Sequence, residues 1–131
     1  MGDSPADLTY KLAEEHLNAA LDEIQSGRLN FAVFHIQQAI EKSLKALLLS
    51  RGIDVRTHKL GQLVALAKIP LSDDEITSLA EIEREYIRSR YYTPGFNPFT
   101  DYRREDVERW YEVAKRIYTK IGGLLWRSTA S

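Results

Sequence analysis

From Tyr10 to Leu125 the apolar residues recur at steps of three and four, and alternation with a period of two is nowhere persuasive. A chain written this way is all-α. Tyr10, Ala13, Leu17, Ala20, Leu21 and Ile24 mark a first helix. Ser4 serves as its N-cap, Pro5 as its first residue and Asp7 as a negative charge at the positive dipole end, and Gly27 stops it. A second helix, capped by Asn30 and ended at Gly52, carries Val33, Ile36, Ile40, Leu44, Leu47 and Leu48 in one stripe and is expected to be the most buried. A short helix follows His58 and is closed by Pro70. Ser72 and Glu75 then have the spacing of a capping box. The fourth helix runs to about Arg90, with Ile76, Leu79, Ala80, Glu83, Tyr86 and Ile87 on one side. The last begins near Arg104 and shows the cleanest pattern, Val107, Trp110, Tyr111, Ala114, Ile117, Tyr118, Ile121 and Leu125, until Gly122-Gly123 threatens its end.

The predicted fold is an antiparallel up-and-down helical bundle of four long helices and one short one, because short connections make successive helices neighbours. At 131 residues the chain reads as one domain, 1–131, frayed at 1–3 and 127–131. Hydrophobic residues at 44% and charged residues at 28% fit a packed core and exclude a disordered or fibrous chain. The segment Tyr91 to Tyr102 contains Pro94, Gly95 and Pro98 among five aromatic residues and keeps no period. It is expected either to fold back as a lid or to serve binding.

Absences narrow the chemistry. Without Cys there is no disulfide framework, thiol nucleophile or Cys-ligated zinc, and only three His are present. No Glu stands three residues before any His, so a dimetal bundle site is not expected, and no phosphate loop, dinucleotide turn, zinc helix or nucleophile elbow occurs. No cofactor or metal is therefore expected. Eighteen Lys and Arg against 19 Asp and Glu give a net charge of -1, which argues against a global field for nucleic acid but leaves room for a local basic patch. The start of the chain, Met1 to Asp7, does not read as a signal peptide, and no apolar run approaches a membrane span, so the expected setting is cytoplasmic.

On the side of the second helix opposite its apolar stripe stand His35, Gln38, Glu41, Lys42 and Lys45, beside Phe31, Phe34 and Leu49. This face is either solvated, with Glu41 and Lys45 paired at i and i+4, or a polar binding surface edged with aromatics. The run Gln38-Ala39-Ile40-Glu41-Lys42-Ser43-Leu44-Lys45-Ala46, then Gly52, His58-Lys59-Leu60 and the later Arg90-Tyr91, resembles the HEPN family of small helical domains over nearly the whole chain. The resemblance implies a bundle that commonly dimerises and is often encoded beside a minimal nucleotidyltransferase in toxin–antitoxin or defence-type pairs. It also implies, for many members, metal-independent endoribonuclease activity from an Arg followed after four to six residues by His. Here the sequence departs from the pattern: no His follows Arg88 or Arg90 at that distance. The spacing recurs as Arg28 to His35 and Arg51 to His58, away from the family position.

RNA cleavage needs a group that exchanges protons near neutral pH, which His does and Arg does not. The departure therefore points to the non-catalytic branch of the family, for which the resemblance implies a nucleotide-binding or partner-binding module, with Arg90 forking onto phosphate, Tyr91 or Tyr92 stacking on a base, and Lys42, Lys45 and Arg88 adding charge. Gln38, Glu41, His58 and Tyr86 are read as structural residues or as walls of that site. Structurally, Glu41 and Arg90 would pair to fasten helix two to helix four, and His58 would cap or hydrogen-bond the short helix. Two alternatives stand beside this: an endoribonuclease using His58 or His35, and a dimeric scaffold built on the aromatic loop and the helix-two face. The expected partners are a second copy of the chain, a nucleotidyltransferase and a nucleotide or RNA, with no membrane.

Overall fold

The computed structural model describes residues 4–130, with side chains through 125. Five helices follow one another: α1 (Pro5–Ser26), α2 (Leu29–Ser50), α3 (Leu60–Ala67), α4 (Asp73–Arg88) and α5 (Arg104–Ala130). Among the described residues the one bridge outside the helices joins Thr93 and Phe96. No helix of the described residues is long and apolar enough to cross a membrane. The expected frayed ends, 1–3 and 127–131, fall on residues that lie outside the described set or whose side chains do.

Local chemistry sets most boundaries. Ser4 accepts the Asp7 N–H at 3.1 Å, and Gly27, at φ 82°, closes α1 in the left-handed conformation that glycine adopts without a Cβ clash. Ser72 and Glu75 form the complete capping box: the Ser72 hydroxyl accepts the Glu75 N–H at 3.1 Å and the Glu75 carboxylate accepts the Ser72 N–H at 2.9 Å. Asn30, by contrast, is not a cap. The α1–α2 turn is so tight that Arg28 occupies the N-cap with no side-chain bond, its N–H donating back to the Glu23 carbonyl. Nor does Pro70 stop α3; Lys68 turns left-handed at φ 53° two residues earlier.

α2 is the central helix, packed against each of the others. Ala32, Val33, Ile36, Ala39, Ile40, Leu44 and Leu48 are fully buried, facing Leu17, Ala20 and Ile24 of α1 and Val107, Ala114, Ile117 and Ile121 of α5. Burial of a large aliphatic side chain contributes roughly 1.5–3 kcal/mol, so this stripe dominates cohesion.

Two expectations about helix faces are corrected. In α4 the buried positions are Glu75, Ser78, Leu79, Ile82 and Glu85, whereas Ile76 and Ile87 are exposed; the buried acids are paired with cations, so they could turn inward where an apolar criterion placed them outward. In α5 the helix continues through Gly122-Gly123. Gly122 is there for closeness: Tyr10 stacks on Tyr118 with centroids 4.3 Å apart, donates to the Tyr118 carbonyl at 2.8 Å, and its hydroxyl occupies the place a Cβ on residue 122 would need.

Candidate functional site

The polar side of α2 is not a solvated face. Glu41 is buried, its side chain only 1% exposed, and its Oε2 accepts from Lys45 Nζ at 3.1 Å and contacts His58 Nδ1 at 2.9 Å. Its other oxygen takes the side-chain amides of Gln37 and Gln38 at 3.3 and 3.4 Å. Gln37, itself fully buried, also reaches the His58 carbonyl and Glu83 Oε1, and Glu83 Oε2 accepts the Leu60 N–H at 2.7 Å. The start of α3 is thus held by α4, with Lys59 rather than His58 at its N-cap. Burial alone would raise the Glu41 carboxyl, but hydrogen bonds from His58 and Lys45 outweigh it and hold the group below its ordinary range.

The expected Glu41–Arg90 ion pair does not form. Glu41 is saturated by nearer donors, and Arg90 lies one turn beyond Tyr86, whose hydroxyl accepts from Arg90 on one side and from the Gln38 amide at 3.4 Å on the other. The link between α2 and α4 is therefore the relay Glu41–Gln38–Tyr86–Arg90. The exposed Arg90 guanidinium lies 4.9 Å from the Tyr86 ring, 5.2 Å from Tyr91 and 5.4 Å from Phe34, and has no carboxylate partner among the described residues.

Arg88 has the opposite fate. Its guanidinium donates to buried Glu85 at 3.1 Å and is covered by Phe96 at 3.8 Å, and Phe96 meets Tyr102 edge-on. Tyr102 in turn donates to the Glu85 carbonyl at 3.1 Å. Half of the aromatic segment therefore folds back on the bundle, while Tyr91, Tyr92 and Phe99 remain exposed, Tyr92 at 89%. Arg88 thus clamps the aromatic segment to α4 through Glu85 and Phe96.

Lys42 and Lys45, grouped with Arg90 on sequence, lie elsewhere. With Arg56 and His58 they line a cleft of about 440 Å³ whose apolar wall is Leu49, Ile53 and Val55; Thr9 and Asp54 complete it, and Arg90 is not part of it. His35 bonds to neither Arg90 nor Glu41: its Nδ1 contacts Glu23 at 2.6 Å, and its ring lies between His16 and the edge of Phe34. Burial first, then the neighbouring His35, lowers the His16 pKa.

Of the sequence-selected residues, the structure joins Gln38, Glu41, His58, Lys45, Tyr86 and Arg90 into one connected network and sets Arg88 and His35 apart. Gln37, Glu83 and Arg56 were missed. Gln37 was detectable as the residue one turn before Glu41 on the same helix edge; Glu83 and Arg56 had no local signal.

The HEPN domain family model matches residues 6–124, the span that contains all five helices' packed core and the polar strip of α2. The chain belongs to the HEPN family. It is 30% identical over 133 residues to a protein of Methanocaldococcus jannaschii named "Putative toxin MJ1304", covering 92% of this chain and 88% of that one. The crystal structure of TT1696 from Thermus thermophilus superposes with a TM-score of 0.79 at 27% identity, over 90% of this chain and 96% of that one. ST0689, described as an archaeal HEPN homologue, gives 0.77 at 27% identity, over 94% and 99%. A HEPN domain protein of Thermotoga maritima shares the fold at 22% identity with a TM-score of 0.73, over 91% and 98%.

Proposed function

We propose that this HEPN chain is the toxin-class member of a two-component pair, binding a nucleotide phosphate at Arg90 and working with a separately encoded minimal nucleotidyltransferase. The observation that carries the reading is the state of Arg90. It is exposed, it carries a charge that no carboxylate of the described residues neutralises, and Tyr86, Phe34 and Tyr91 surround it. A guanidinium in that setting offers a fork to phosphate, and Tyr91 and Tyr92 offer ring faces to a base. Calorimetric titration with ATP, GTP and their monophosphates tests this. Binding that Arg90→Ala weakens tenfold or more supports it; no heat with any of them, or full affinity in Arg90→Ala, refutes nucleotide binding at this place.

A second reading, metal-independent RNA cleavage, is favoured by one geometry. The buried Glu41 carboxylate holds His58 through Nδ1, the side chain is 72% exposed, and Lys45 bonds the same carboxylate oxygen. A carboxylate-oriented imidazole next to cations is an arrangement suited to proton transfer at a phosphodiester. His35 lacks that freedom because Glu23 and His16 enclose it. Cleavage of RNA in the presence of chelator, abolished by His58→Ala and kept by His35→Ala, is the expected signature; wild-type protein inert over a broad RNA panel excludes it.

A further inference from the structure

A continuous array of rings runs from the α1–α2 interface to Arg90. His16 of α1 faces His35 of α2 with ring centroids 5.4 Å apart and planes tilted by 32°. His35 meets the next ring, Phe34, edge-on at 5.1 Å, and Phe34 stacks on Tyr86 at 5.8 Å. Arg90 closes the array, its guanidinium 5.4 Å from Phe34 and 4.9 Å from Tyr86. Of these groups only the two imidazoles change charge near neutral pH.

The two imidazoles are unequally provided for. Glu23 Oε1 contacts His35 Nδ1 at 2.6 Å, so a proton on His35 has a counter-ion in contact. His16 has no carboxylate within salt-bridge distance among the described residues. Burial first, then His35 and Lys42 of α2, oppose a charge on His16. Glu15 of α1 and Glu41 of α2 favour it less strongly, and Glu41 is already engaged by Lys45 and His58. α5 meets α1 on another side, where Tyr118 donates to Glu14 at 3.0 Å, and Arg90, following α4, is separated from His16 by Phe34 and His35. Charging His16 as well as His35 therefore sets two cations on neighbouring rings with one counter-ion in contact. A ring can move away by a change of rotamer, whereas α1 is fixed by Ala13, Leu17, Ala20 and Ile24 in the core.

We infer that the His16–His35 pair is a proton-operated switch for the rings around Arg90. With His16 neutral the array is packed from α1 to Arg90. Protonation of His16 breaks its contact with His35, and the loss of that backing lets His35 and Phe34 shift against Tyr86 and Arg90. A His16 turned into water takes its proton at about the ordinary value of 6.5, and the packed one resists it. The packed arrangement therefore loses population, relative to the open one, by up to about tenfold per pH unit below that value. The switch operates without a ligand, so it and nucleotide binding at Arg90 stand or fall separately.

The test is a pH titration of the full chain by proton NMR from about pH 8 to about pH 5, following the rings of His16, His35, His58, Phe34 and Tyr86. The Phe34 and Tyr86 signals are expected to move with the His16 midpoint, which lies below that of an ordinary histidine. In His16→Gln this shared movement should disappear. In His35→Gln the His16 midpoint should rise by about half a pH unit or more, since one opposing group is gone. Phe34 and Tyr86 signals that stay still, that move only with His58 through Glu41 and Gln38, or that move as before in His16→Gln overturn the switch. So does a His16 midpoint that His35→Gln leaves unchanged. Should either variant fail to fold, the unaltered chain decides: movement of Phe34 with His16 supports the switch, and a Phe34 that does not follow His16 refutes it.

Discussion

Glu41 and His58 meet at 2.9 Å through Oε2 and Nδ1, the carboxylate closed off from water and the imidazole largely open to it. The same carboxylate holds Lys45 and two glutamine amides, so it joins α2 to the segment that leads into α3. Glu41→Ala removes the acceptor on which Gln37, Gln38 and Lys45 converge and should cost about 2–3 kcal/mol, since hydrogen bonds to a charged group are worth about 1.5–3 kcal/mol and the stranded donors lie out of water. Glu41→Gln keeps the volume and one acceptor and should lose less. Urea unfolding checks both: the midpoint should fall at unchanged slope, more for Ala than for Gln.

Besides exposed Asp7, lowered by the Ser4 hydroxyl, three glutamates set the acid limb of stability. Glu41 is lowered as described above. In Glu75 burial again opposes ionisation, and the Ser72 backbone and Lys120 overcome it; in Glu81 the Trp110 and Arg109 hydrogen bonds lower the group. Each has a folded pKa below its ordinary value of 4.5, so its contribution is complete above that value and lost as pH falls through the lower folded one. Thermal melts from about pH 7 to about pH 3 should show a first loss below about pH 6.5, where the unfolded chain takes up a proton on His16 that the folded one resists, and a further fall below about pH 4.5 that is shallower in Glu41→Gln. A fall in Glu41→Gln as steep as in the parent chain would show that Glu41 takes no part.

Gly122 and Gly123 should respond oppositely to the same substitution. A methyl on residue 122 meets the Tyr10 hydroxyl and forces apart the Tyr10–Tyr118 stack, so Gly122→Ala should destabilise by about 1–3 kcal/mol. Nothing lies within 4 Å of a methyl on residue 123, and Gly123→Ala should be neutral or stabilising by up to about 1 kcal/mol through helix propensity. Differential scanning calorimetry of the two variants side by side gives the comparison.

Ser72→Ala deletes the hydroxyl that accepts the Glu75 N–H and should lower stability by about 1 kcal/mol, the usual cost of an N-cap. Lys120 still reaches Glu75 at 3.2 Å in that variant, so the junction of α4 and α5 should survive while the first turn of α4 loosens. Hydrogen exchange should show faster exchange of the Glu75 amide with little change in α5.

Phe96→Ala uncovers Arg88 and removes the edge contact with Tyr102, together worth about 1–2 kcal/mol. The segment 91–102 should then open locally. The Phe96, Thr100 and Asp101 amides, bonded within the segment to Thr93 and Asn97 carbonyls, should exchange faster while α2 amides keep their protection.

The helices and most of their ends were legible in the sequence because each signal acts within one or two turns: Ser4, Gly27 and the Ser72–Glu75 box are bonded to residues three or four places away. The apolar stripe of α2 was legible for the same reason, and so was the Glu41–Lys45 pair at i and i+4. The HEPN resemblance rested on these local patterns, and the family match agrees with it.

What the sequence could not decide was the partner of any group whose neighbour lies far along the chain. Glu41 and Arg90 have opposite charges on packed helices and suggested a pair, but His58, 17 residues on from Glu41, arrives first and Tyr86 takes the guanidinium. Arg88 and Arg90 are two residues apart, but α4 ends at Arg88, which lies beneath Phe96, while Arg90 stands in the turn that follows and stays in water. Gly122 read as a helix end because helix propensity is local, whereas its actual role is set by Tyr10, more than a hundred residues away. Composition and periodicity alone determined an all-α bundle with scarce His and no Cys. Only the packing of α2 among its neighbours decided which charges are neutralised and which stay open to a ligand, because charge neutralisation depends on separations of a few ångströms that chain spacing does not encode.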